Sequence, residues 1–271
     1  KHQFVLLTCW ATMTLAGSPE PIHVLTTLFA TALAVASSHV FNQILDRDID
    51  AIMTRTRNRP IAAGRVRPLS AAIFGTILFA LSVVIMVWRV NVLSAWLVVA
   101  GMLFYVPIYT WWLKRTSPWC TLVGGISGAI PTLIGWASVT GDIGAPAFWL
   151  FVFMVIWQSP HFYGLSLYRG DEYRRAKLPV YVVVAGVPKT LRRIVTYSAA
   201  MVVAAVMVYF SGASGPVYLA LTLAGGIAYL AAAIAAVIRG EAEAPAWGRR
   251  LFLSSYLYLA LVFISAVVDR V

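Results

Sequence analysis

Asn42, Asp46 and Asp50 recur at four-residue spacing in Asn42-Gln43-Ile44-Leu45-Asp46-Arg47-Asp48-Ile49-Asp50. On an α-helix the three fall within about 80° of one face and rise about 12 Å. Two carboxylates and an amide oxygen so placed are hard ligands, suited to a Mg²⁺ ion that keeps waters and bridges to phosphate oxygens. Asp48 points to the opposite face and reads as an arginine partner or a cap. The same residues would also suit a solvated helix end with ordinary ion pairs. Asn42 weighs against that, because it lies inside an apolar block, where polar groups are costly and usually functional.

Cations follow closely. Arg55-Thr56-Arg57-Asn58-Arg59-Pro60 is a dense set of guanidinium forks, able to meet phosphate oxygens bidentately. Lys114-Arg115 offers a second cationic site, although membrane orientation alone would also account for these charges. A second acidic group lies in Tyr168-Arg169-Gly170-Asp171-Glu172-Tyr173, after Pro160-His161-Phe162. If the helix runs through it, His161, Tyr168 and Glu172 share a face and Asp171 lies about 80° away. That pair suggests a second or a shared Mg²⁺; alternatively it neutralises Arg169, Arg174 and Arg175. His39 lies on the Asn42/Asp46 face. A lone buried histidine such as His161 is more often a packing residue than a ligand. Cys9 and Cys120, with no paired spacing, read as inert buried thiols.

The elements that must position these residues are membrane helices. Hydrophobic residues make up 61% of the 271 positions and charged residues 11%, and the mean hydropathy is +0.82. The apolar residues come in uncharged blocks near the ~20 residues that cross a hydrocarbon core. Such blocks must be helical to satisfy their own backbone. The blocks run roughly over 3–17, 22–45, 69–88, 92–113, 118–139, 146–168, 190–210, 216–238 and 250–268. The expected fold is therefore all-α: one membrane domain over 1–271, with about nine transmembrane helices around a central cavity.

The net charge of +11 is topological. Nineteen of the 21 basic residues, Lys1 included, lie in alternate connections, and only Arg89 and Arg270 fall on the other side. By the positive-inside rule that face is cytoplasmic, which leaves no call for a nucleic-acid partner. Both acidic groups lie on it. The two acidic connections stand four spans apart, as a distant internal repeat would place them. The small residues Gly124, Gly125, Gly128 and Gly135 either let helices approach closely or leave room for a bulky ligand. Kinks are expected at Pro107, Pro131 and Pro160.

Asn42-x3-Asp46-x3-Asp50 followed by Arg55-Thr56-x-x-Arg59-Pro60 resembles the first aspartate-rich motif of the UbiA-type intramembrane prenyltransferases. The wording of residues 46–60 is similar to one branch, the protoheme IX farnesyltransferases (heme O synthases). So are Tyr109-Thr110-x-Trp112-Leu113-Lys114-Arg115, Gly135-Trp136-Ala137-x-Val139-Thr140-Gly141 and Pro160-His161-Phe162. The likeness runs from roughly residue 5 to 195. Asp171-Glu172-Tyr173 matches the second motif with Glu where Asp is commoner.

The resemblance implies Mg²⁺-dependent transfer of farnesyl from farnesyl diphosphate to a vinyl group of heme B, giving heme O and diphosphate. It implies Asn42, Asp46, Asp50, Asp171 and Glu172 as catalytic metal-binding residues. Arg55, Arg59, Lys114 and Arg115 would meet the diphosphate, and His161 and Tyr168 would meet heme. It also implies a multi-pass protein of the cell membrane with its site facing the cytoplasm, and hand-over of product to a heme A synthase or a terminal oxidase. Another enzyme of this type, acting on an aromatic or lipid acceptor, is the nearest alternative. A membrane transporter is the alternative of another class, disfavoured because the acids sit at one interface rather than at the bilayer centre.

Overall fold

A computed structural model describes residues 2–271, with side chains from Phe4 onward. Lys1, counted above among the cations of the basic face, lies outside the described residues. The helices in chain order are α1 (His2–Ala16), α2 (Pro21–Leu45), α3 (Arg47–Ile52), α4 (Pro68–Ile85), α5 (Val92–Leu103), α6 (Lys114–Thr116), α7 (Cys120–Thr140), α8 (Ala145–Tyr168), α9 (Gly170–Arg175), α10 (Tyr181–Ala185), α11 (Val187–Phe210), α12 (Pro216–Arg239) and α13 (Ala244–Val268). π-helical stretches extend α4 over Met86–Val90 and join α5 to α6 over Phe104–Leu113. Among the described residues there is no β-strand, only an isolated bridge between Ser214 and Arg270.

Local chemistry sets the ends of these helices. α2, α4, α8, α11, α12 and α13 each carry proline at their first or second position. There the missing N–H has no helical acceptor to lose. α7 stops at Gly141, whose φ of +76° is a left-handed cap that favours glycine.

Among the described residues, eight helices are long and apolar enough to cross a membrane. α1, with 15 residues, is the shorter ninth apolar helix, so the expected count of about nine agrees with the fold. Large apolar side chains such as Phe29, Phe74, Ile77, Ile227 and Ile238 are exposed on the outer surface. That surface suits lipid, which is as apolar as the side chains themselves.

The interior divides into two apolar clusters. One joins Phe153 and Trp157 of α8 to Ile194 and Met201 of α11 and to Leu251 and Leu259 of α13. The other joins Cys9 and Met13 of α1, Ala30 of α2, Val98 of α5 and Ile134 of α7. α7 and α8 pack together between them, and α8 is the most enclosed span, with 72% of its apolar window buried.

Candidate active site

A cavity of about 340 Å³ lies where the two clusters meet, walled by α2, α5, the π stretch, α7 and α8, with α1 and α13 closing its sides. From Thr31 to Asn42 it follows α2 for about 16 Å at 1.5 Å per residue. Its deep end is apolar, lined by Leu97, Val98, Ile130, Ile134 and Met154. At the basic face its mouth holds Asn42, Asp50, Arg55, Arg59, Lys114 and Tyr173.

The first acidic motif keeps its common face although α2 ends there. Asp46 departs from helical geometry (φ −91°, ψ 6°). The i to i−4 ladder nevertheless continues, the Asp46 N–H donating to Asn42 O at 2.9 Å and the Asp50 N–H to Asp46 O at 2.7 Å. Asp46 is completely buried and Asp50 nearly so. Asp46 Oδ2 accepts from Asn42 Nδ2 at 2.7 Å and pairs with Lys114 Nζ. Asp50 pairs with Arg59 at 2.8 Å. The carboxylates and the cations read separately from sequence are thus each other's partners. Beside Asp46, moreover, Asn42 offers its amide nitrogen rather than the expected oxygen. Arg55 also lines the mouth.

Arg115 lies elsewhere. It grips Asp48 through two bonds of 2.7 and 2.8 Å and donates to Leu45 O at 2.6 Å, tying the end of α2 to α3 outside the cavity lining. The Arg115 hydrogen bond is the main reason the Asp48 carboxyl is held down at about 2, so this pair stays ionised at every physiological pH.

The second acidic group is organised differently from the sequence expectation. α8 ends at Tyr168 and Arg169 breaks the helix (φ −119°, ψ 28°) before α9 begins. The face expected for His161, Tyr168 and Glu172 therefore holds within α8 for His161 and Tyr168 but does not extend to Glu172. Tyr168 is 40% exposed. Asp171, 87% exposed, pairs with Arg174. Glu172 is largely buried and pairs with Arg169. Neither acid lines the cavity, although the next residue, Tyr173, does. Burial raises the Tyr173 hydroxyl above its ordinary value, opposed by the nearby Arg55 charge. Arg55 and Tyr173, one from each motif, both line the mouth.

The aromatic walls depend on packing that no local pattern reveals. The π stretch brings Tyr105 and Tyr109 into stacked contact, 5.6 Å between centroids, with His39 edge-on to Tyr105. Pro107 lies within this stretch, so the kink expected there takes the form of a wider helical turn. Pro131 and Pro160 sit inside continuous α-helix. His161 is 2% exposed and lies against Trp157 at 4.8 Å, Phe252 at 4.6 Å and Tyr256 at 4.6 Å. Ser255 Oγ donates to Phe252 O and meets His161 Nδ1 at 2.7 Å. Phe252, Ser255 and Tyr256 were missed in the sequence because they belong to α13, almost 100 residues downstream, in an unremarkable apolar block. The α7 glycines serve both expected uses: Gly135 lets α7 lie directly against the Cys9 carbonyl and Thr12 hydroxyl of α1, and others line the cavity; outside that span the same close approach recurs. Gly164 of α8 and Gly248 of α13 meet backbone to backbone, and Gly124 and Gly128 line the cavity beneath Tyr109 and Gln158.

Among the described residues no three His, Cys, Asp or Glu side chains converge into a ready-made metal cage. Mg²⁺ does not need one, since it takes one or two carboxylates and completes its shell with water and phosphate oxygens. Asp46 Oδ1 and Glu172 Oε2 are buried without hydrogen-bond partners. An unpartnered buried carboxylate oxygen is costly unless a cation or donor meets it, so the chemistry of Asp46 with neighbouring Asp50 fits the ion.

Comparison with known proteins agrees with this architecture. The model of the UbiA prenyltransferase family matches residues 4–256. The protoheme IX farnesyltransferase of Symbiobacterium thermophilum is 39% identical over 267 residues, 98% of this chain and 89% of that protein. A solved structure of digeranylgeranylglyceryl phosphate synthase superposes with a TM-score of 0.80 at 18% identity, covering 97% of this chain and 93% of that one. A UbiA homolog from Archaeoglobus fulgidus bound to GPP and Mg²⁺ gives 0.65 at 14% identity, covering 98% and 97%; both share the fold. With a cavity whose mouth joins an aspartate motif to cations, and a family match over nearly its whole length, this chain belongs to the UbiA prenyltransferase family and is a multi-pass membrane prenyltransferase.

Proposed function

We propose that this prenyltransferase moves a farnesyl group from farnesyl diphosphate to a vinyl group of heme B, in a cell membrane and from the cytoplasmic side. The reading is carried by one arrangement: Asn42, Asp50, Arg55, Arg59 and Lys114, the last paired with the buried Asp46 behind the lining, stand at the mouth of one aromatic-walled cavity holding His161, in a chain 39% identical to a named protoheme IX farnesyltransferase. Orientation follows from the basic residues gathered at that mouth.

Arg55, Arg59 and Lys114 meet the diphosphate oxygens. Asp46 and Asp50 would hold Mg²⁺, which when bound supplies positive charge to the departing diphosphate. The allylic C–O bond breaks and its electron pair leaves with diphosphate. The vinyl π pair forms the new C–C bond, and water adds at the remaining vinyl carbon, releasing a proton and completing heme O. Tyr105, Tyr109 and Trp157 offer ring faces to the allylic cation and keep water from it. His161, oriented by Ser255, steers the macrocycle.

Incubation of the purified protein with Mg²⁺, farnesyl diphosphate and heme B is expected to yield heme O, read by mass spectrometry of extracted heme. Prenylation of 4-hydroxybenzoate with no heme O would instead assign an aromatic acceptor. In the same assay His161→Ala is expected to raise KM for heme about tenfold or more while leaving KM for farnesyl diphosphate within about twofold, since one oriented polar contact is worth roughly 1–3 kcal/mol. Equal losses for both substrates would make His161 a packing residue.

A further inference from the structure

Thr110 lies on the π stretch, is fully buried and does not line the cavity. Its hydroxyl donates to Tyr105 O at 2.8 Å. Having given up its one proton, Thr110 Oγ1 acts toward Asn42 as an acceptor, and Asn42 Nδ2 donates to it at 3.2 Å. The same nitrogen donates to Asp46 Oδ2 at 2.7 Å. The chain of bonds has one direction. Reversing the amide would turn its oxygen onto a carboxylate and onto a hydroxyl oxygen with no proton to offer.

We infer that Thr110 is a positioning residue for the divalent ion: through Asn42 it holds Asp46 Oδ2 in place, so that the unpartnered Oδ1 is presented to Mg²⁺. The ion itself is part of the functional reading above, and the inference rests on that part alone, whatever the acceptor. Three observations support it. Asp46 has one oxygen doubly engaged, by Asn42 and Lys114, and the other buried without a partner. The amide orientation of Asn42 is dictated at both ends by groups that can only accept. And Thr110 reaches the carbonyl five residues back, within the same π stretch that carries Tyr105 and Tyr109 to the cavity wall. Groups that orient a ligand in this way typically carry a 10–100-fold effect on metal affinity.

The test is calorimetric titration of Mg²⁺ into the detergent-solubilised full chain with inorganic pyrophosphate present, comparing wild type, Thr110→Val and Thr110→Ser. Valine keeps the shape and loses the hydroxyl; serine keeps the hydroxyl. The expected result is about tenfold or more weaker Mg²⁺ binding in the valine variant and binding within about twofold of wild type in the serine variant. Thr110→Ala serves the same comparison if the valine variant does not fold. Wild-type affinity in a folded variant lacking the hydroxyl, or an equal loss in the serine variant, would overturn the inference. Wild-type protein taking up no Mg²⁺ at all would remove the metal reading and this inference with it, whereas failure to form heme O in the separate assay would change only the acceptor.

Discussion

Asp46→Asn is expected to lower turnover by about a thousandfold or more while the helical fold persists. The substitution keeps the shape of the side chain and its room beside Asn42 but removes the charge that grips a divalent ion. Single groups that stabilise a leaving anion carry about 10²–10³-fold each. Loss of a carboxylate that holds the ion removes that ion's contribution as well. Asp50→Asn follows the same logic less severely, because Arg59 is 31% exposed and can turn outward. The measurement is product formation at saturating Mg²⁺, paired with a thermal unfolding midpoint in detergent. Turnover within tenfold of wild type would leave Asp46 with a role in folding alone.

Lys114→Met acts on the same pair from the other side and is expected to destabilise the protein by about 3–5 kcal/mol, the usual effect of stranding a buried charge. Asp46 has no exposed side-chain surface and Lys114 only 18%, so water cannot replace the lost ammonium. The double variant Lys114→Met/Asp46→Leu, which strands no charge, is expected to regain most of that stability and none of the activity. Mg²⁺ is expected to raise the unfolding midpoint of Lys114→Met more than that of wild type, because it replaces the missing positive charge at the carboxylate. Denaturation in detergent with and without Mg²⁺ reads all three, and a single variant as stable as wild type would refute the argument.

The pairing behind both results bears on ligand binding. In the described state Lys114 neutralises Asp46 and Arg59 neutralises Asp50. Diphosphate alone would draw the cations away and strand the acids; Mg²⁺ alone would do the reverse. Together they let each charge exchange one partner for another, so binding of either favours the other by linkage.

The sequence alone determined what depends on short-range order. The number of apolar spans and their approximate bounds follow from uncharged blocks of about 20 residues, because a backbone in lipid must satisfy itself; the short helices α3, α6, α9 and α10 between them were not legible. The basic face follows from alternate connections. The shared face of Asn42, Asp46 and Asp50 follows from a period that one bent residue does not disturb. Family membership was legible in the motif wording around residues 42–60 and 109–115. Only the tertiary structure decided which charges meet. It placed Lys114 on Asp46 and Arg115 outside on Asp48, though the two are sequence neighbours and looked equivalent. It broke the helix at Arg169 and turned Asp171 to the surface, and it brought α13 against His161. Periodicity and hydropathy are properties of one segment, whereas the partner of a buried charge or ring is chosen by which helices lie side by side, a matter of packing among residues far apart in the chain.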